Sequence, residues 1–135
     1  MGTKLANLES IAPEDIEKLE AAGIATTDEA LPRIASKADR AALAASTGIA
    51  ESTLAQLAGT SDLMRVAGIA EPHTLLLAQL ETPTAAALAT KEALPILKLM
   101  RRKNVELMIA RAMPPESTVA RWIDDAKNLP PGAEI

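Results

Sequence analysis

Residues 61–77 run Ser61-Asp62-Leu63-Met64-Arg65-Val66-Ala67-Gly68-Ile69-Ala70-Glu71-Pro72-His73-Thr74-Leu75-Leu76-Leu77. Apolar residues recur here at helical spacing on both sides of Gly68-Ile69, which predicts a helical hairpin. Glycine accepts the left-handed backbone that closes a helix, and the isoleucine after it can turn back into the core. A shift of 58 residues lays this hairpin on an earlier one without gaps. Leu5 meets Leu63, Leu8 meets Val66, Ile11 meets Ile69, Ala12 meets Ala70, Leu19 meets Leu77 and Thr26 meets Thr84. A shift of 65 lays Glu51-Ser52-Thr53-Leu54-Ala55 on Glu116-Ser117-Thr118-Val119-Ala120. The seven extra residues of the second copy fall between Ala89 and Val105. Self-similarity at a fixed offset is the mark of a repeated supersecondary unit. The expectation is one all-α domain over 4–129, made of two related halves at about 4–62 and 63–129, with 130–135 as a C-terminal tail.

Outward from the hairpin, the chain reads as short helices punctuated by turns. Pro13 with Glu14 and Asp15 opens a helix, with acids at its positive end. Thr26 and Glu29 have the spacing of a capping box. Ser36, Ser61 and Thr90 read as N-caps, and Pro114-Pro115-Glu116 opens the last helix. These marks predict helices at 4–10, 13–22, 27–35, 37–46, 51–58, 61–67, 70–80, 84–89, 91–102, 104–112 and 116–128. Only three valines occur and β-branched alternation is missing, so strands are not expected. Alanine and leucine supply 28 and 18 of the 135 residues, and alanine-rich faces let helix axes approach closely. The fold class expected is a compact all-α array of short helices in duplicated helix-hairpin-helix-like units.

Composition removes several functions. There is no cysteine, one histidine and one aromatic residue, Trp122. A disulfide scaffold, a cysteine nucleophile and a Cys/His zinc site are excluded, as is an aromatic row for stacking bases. No phosphate-binding glycine fingerprint occurs, and the carboxylate groups lack calcium-loop spacing. No metal and no cofactor are therefore expected. His73 is read as an exposed residue in the first turn of a helix. The chain is not expected to be an enzyme. It has no 18-residue apolar run and no apolar leader, and Ala6 spoils a myristoylation pattern at Gly2. A cytoplasmic protein without a membrane partner is the expectation.

Val66-Ala67-Gly68-Ile69-Ala70-Glu71 resembles the helix-hairpin-helix motif, whose loop can offer backbone N–H groups to a DNA phosphate. Gly48-Ile49 and Gly68-Ile69 are the candidate hairpin loops. Glu51 and Glu71 stand at the positive helix ends where a phosphate would sit, and repel it. Larger matches run through the chain. They are Ile11-Ala12-Pro13, Ile16-Glu17-Lys18-Leu19, Ala22-Gly23-Ile24-Ala25-Thr26, Arg40 with Leu43-Ala44, and Thr47-Gly48-Ile49. Asp62-Leu63-Met64-Arg65-Val66-Ala67-Gly68-Ile69 follows, then Pro115 with Val119, Trp122-Ile123, Ala126-Lys127 and Leu129-Pro130. In this order they resemble the bacterial family catalogued as domain of unknown function 4332, over about 4–130. The resemblance implies an all-α, tandem helix-hairpin-helix-like fold and no established reaction. Ser10, Ala12 and Ala70 stand where glycine is usual.

Charge supplies the remaining signal. The formal net charge is −4, the opposite of what phosphate attraction favours. Residues 1–90 hold 6 basic and 12 acidic residues, whereas 91–127 hold 8 basic and 5 acidic. Lys98, Arg101 and Arg102 share a helix face, and with Lys103 they form the candidate binding surface, beside an apolar stripe of Leu94, Leu97 and Met100. Trp122 reads as a core residue, with an interface anchor as its alternative role. The expected function is a non-enzymatic interaction module that binds a protein partner or itself. The alternative is sequence-independent DNA or RNA backbone binding by the hairpin loops and the tract 98–103, disfavoured by the net charge.

Overall fold

A computed structural model describes residues 2–135. It is all-helical: a 3-10 turn at Leu5–Asn7 precedes α1 (Pro13–Ala21), α2 (Thr27–Ile34), α3 (Lys37–Thr47), α4 (Glu51–Leu63), α5 (Glu71–Gln79), α6 (Ala85–Leu88), α7 (Ala93–Leu107) and α8 (Glu116–Lys127). Among the described residues there is no strand, only an isolated antiparallel bridge between Lys4 and Thr26. No described helix is long and apolar enough to cross a membrane.

Local chemistry starts several helices where the sequence places them. Thr26 Oγ1 accepts from the Glu29 N–H at 3.2 Å, and Glu29 Oε1 accepts from the Thr26 N–H at 3.1 Å. This reciprocal box satisfies donors that the first helical turn leaves orphaned. Ser36 Oγ accepts from the Asp39 N–H at 3.1 Å to start α3, and Pro13 occupies the first turn of α1. The segment 4–10 forms only the 3-10 turn.

Two expected breaks are absent. Ser61 is not a cap: α4 runs through it, replacing the separate helices 51–58 and 61–67. Its Oγ is buried without a hydrogen-bond partner, so the helix continues because its flanks pack and not because the hydroxyl is satisfied. Thr90 is not a cap either. Its hydroxyl donates back to the Ala87 carbonyl at 2.7 Å, and α7 begins at Ala93. That helix then runs unbroken through Lys103 to Leu107, merging most of 91–102 with the first four residues of 104–112.

Contacts divide the chain into two compact units. One runs up to Asp62 and includes Gly132–Ile135; the other is Leu63–Pro131. In the first, α2 packs on α3, and the core is wholly aliphatic, with Leu5, Leu19, Ile24, Ile34, Leu54 and Leu57 among its buried residues. Arg40 is only 4% exposed, and its Nη1 donates to the Ile34 and Ala35 carbonyls at 2.9 and 3.0 Å. It therefore satisfies the carboxyl end of α2 from inside the unit. Residues 132–135 join this unit through backbone bonds. The Glu134 N–H donates to the Ala35 carbonyl at 2.8 Å, and the Ala133 N–H to Asp62 Oδ1 at 3.2 Å.

In the second unit α7 packs on α5 and α8, and α6 packs on α8. Its core gathers Leu76, Leu77, Leu88, Leu97 and Met100 around Trp122. The Arg65 guanidinium donates to the Pro130 carbonyl at 2.9 Å, tying the start of this unit to its end.

Candidate functional site

α7 carries the candidate surface. Ile96, Leu97 and Met100 recur at helical spacing and are buried, which fixes the inner face of the helix. Lys98, Arg101 and Arg102 then fall outside and are exposed. Lys103 lies apart from them, half-buried, and its Nζ pairs with Glu106 at 3.3 Å. Leu94 departs from the expected apolar stripe: Leu97 and Met100 are buried, whereas Leu94 lies on the exposed face with the cations.

The end of α7 adds residues that sequence reasoning missed. Met108 caps the helix in the left-handed conformation (φ 51°), donating its N–H to the Asn104 carbonyl at 2.7 Å. The Asn104 side chain then reverses the chain. Its Oδ1 accepts from the Ile109 and Ala110 N–H groups and its Nδ2 donates to the Ala110 carbonyl, each at 2.9 Å. This amide presents Val105 and Met108 to solvent at 80% and 84% exposure. Together with Asn104, Ala110 and Arg111 they line a shallow depression of about 500 Å³. A helix expected over 104–112 would have spread these residues around its circumference. The available signal was Asn104 itself, a residue that bonds locally to backbone and favours helix ends.

The loops at Gly48 and Gly68, expected as hairpins, are built differently from the α7 face. Gly48 (φ 80°) ends α3 by donating its N–H to the Ala44 carbonyl at 2.9 Å, and Ile49 is buried beyond it. Gly68 (φ 92°) precedes the buried Ile69, and the Ala70 N–H donates to His73 Nδ1 at 3.1 Å. Ala70 has no side-chain acceptor, and His73 supplies a side-chain bond to this cap. His73 is thus half-buried instead of exposed, with its ring 4.9 Å from Trp122 at a 48° tilt. Desolvation lowers its pKa below the ordinary value, favouring the neutral acceptor that the cap requires.

Trp122 is 1% exposed and lies in the core of the second unit, where it is closed off as a surface anchor. Its Nε1 has no hydrogen-bond partner. A Cβ on Gly68 would stand 3.3 Å from that nitrogen and 2.9 Å from Arg121 Nη2. The cation at this loop is therefore Arg121 of α8, which donates to the Ala67 carbonyl at 3.3 Å and pairs with Asp125 at 3.5 Å. At Gly48 the corresponding cation is Lys18, whose Nζ would lie 3.8 Å from an added Cβ. Among the described residues no group of three or more His, Asp or Glu side chains could hold a metal ion.

A family model described as a domain of unknown function (DUF4332) matches residues 9–129, and the chain belongs to that family. No curated protein and no solved structure matches the chain.

Proposed function

We propose that this DUF4332 chain is a non-enzymatic protein-binding module whose contact surface is the outer face of α7. One observation carries the reading. Of the six large hydrophobic residues exposed among the described residues, five (Leu94, Leu99, Val105, Leu107 and Met108) lie on α7 or its cap. Scattered apolar residues are ordinary on a protein surface, but a concentration on one element marks a surface that associates. Lys98, Arg101 and Arg102 share the outer face with Leu94 and Val105, so a partner should be both acidic and partly apolar. Met108 suits such a contact because its unbranched thioether adapts to the surface it meets.

A photoreactive residue at Val105 is expected to yield a discrete protein adduct in cells, lost when Arg101→Glu and Arg102→Glu are added. The same probe at the exposed Ala41 of α3 should yield none. No adduct at position 105, or one shared with Ala41, would remove this reading.

Nucleic-acid backbone binding is the second reading, and one observation favours it: each hairpin glycine has a cation beside it, Lys18 at Gly48 and Arg121 at Gly68. Against it stand Glu51 and Glu71 in the first turns of α4 and α5, where they oppose phosphate. A duplex-DNA mobility shift at low salt, lost in the Arg101→Glu, Arg102→Glu variant, would favour the second reading over the first.

A further inference from the structure

We infer that the partner of the α7 face is the acidic first unit of a second copy of this chain. The inference rests on the proposed contact surface and names what covers it. The first unit carries 5 basic and 11 acidic residues, and the second carries 9 basic and 7 acidic. The chain as a whole is acidic, yet its apolar exposed face lies on the unit of opposite sign. Two copies are thus drawn together with unlike units facing, and repelled with first units facing.

α1 supplies a matching stripe. Glu14, Glu17 and Glu20 are exposed at steps of three residues, with Pro13 and Ala21 exposed beside them. Three residues of helix rise about 4.5 Å. Glu17 and Glu20 therefore have the same axial spacing as Lys98 and Arg101, and two such helices lying side by side can pair both charges at once. Glu17 and Glu20 also lie outside the first turn of α1, so they are not needed there to stabilise its positive end. Leu94 and Val105 lie on the same outer face of α7 as the cations and would meet Pro13 and Ala21. The contact joins two different surfaces and is therefore heterologous.

Sedimentation velocity of the full chain tests this. At low salt the weight-average mass should rise with protein concentration. The apparent Kd should increase at least about tenfold as ionic strength goes from about 0.05 M to about 0.5 M, because exposed charges are screened over that range. Arg101→Glu with Arg102→Glu should sediment as a monomer, and so should Glu17→Lys with Glu20→Lys. An equimolar mixture of the two variants should associate again, because the charges are exchanged and not lost; this also shows that both variants are folded. A wild-type chain that stays monomeric overturns the inference, as does a variant that associates like wild type or a mixture that stays monomeric. If the wild type is monomeric while the Val105 probe still captures a different protein, the self-contact fails and the protein-binding reading stands.

Discussion

The two units solve one local problem, a left-handed glycine followed by a buried isoleucine, with different surroundings. At Gly48 the space where a side chain would go is nearly open, with Lys18 Nζ 3.8 Å away. At Gly68 the same space is closed by Arg121 and by Trp122, the only aromatic residue in the chain. The first unit has an aliphatic core and carries a buried arginine on backbone carbonyls. The second has a tryptophan at the centre of its core, and its Gly68 loop rests against that ring. A glycine loop can therefore be generic in one unit and a packing element in the other, although its φ is nearly the same.

The largest effect should come from removing the two central side chains. Trp122→Ala should cost about 3–5 kcal/mol in urea unfolding, the range for a large buried aromatic. Arg40→Ala should cost about 2–3 kcal/mol, the scale of a charge-assisted bond lost from a buried site. An equal cost for both would break the contrast between an aromatic anchor and a polar one. The glycines come next. Gly48→Ala should cost about 1–2 kcal/mol, from the left-handed backbone alone. Gly68→Ala should cost about 2–4 kcal/mol, because Arg121 and Trp122 must also shift. Equal costs, read as urea midpoints, would show that the crowding at Gly68 carries no energy.

The smallest expected effect is on pH dependence and belongs to the second unit. The fold holds His73 neutral and lowers its pKa, so below about 6.5, the ordinary value for histidine, the unfolded chain binds more protons than the folded one. Its contribution should be complete above that pH and lost as pH falls through the lower, folded value. Thermal melts of wild type and His73→Gln between about pH 7 and pH 5 should converge on acidification. Parallel curves would mean that the Ala70 cap does not depend on a neutral imidazole.

The helix starts that could be read in the sequence are those decided within three or four residues. Thr26 with Glu29, Ser36 with Asp39, and Pro13 each carry their partner or their constraint locally. Ser61 and Thr90 are the same residue types, but tertiary packing decides their roles. Burial draws Ser61 into α4 even though its hydroxyl goes unsatisfied, and Thr90 bonds back into α6. For the candidate site, the exposure of Lys98, Arg101 and Arg102 follows from helical spacing against the apolar Ile96, Leu97 and Met100. The prominence of Val105 and Met108 does not, because it depends on a reversal made by one asparagine side chain. His73 was also hidden. Its role needs both the Ala70 N–H and the indole of Trp122, which is 49 positions away in the chain.

The return of Gly132–Ile135 to the first unit bears on how the chain is made. The Ala133 and Glu134 backbone bonds close a structure whose other residues end at Asp62. On the ribosome, the first unit emerges early but cannot complete these bonds until all of the second unit has been synthesised. The unit synthesised first is thus the one finished last, because the Ala133 and Glu134 N–H groups that close it are made after the whole second unit.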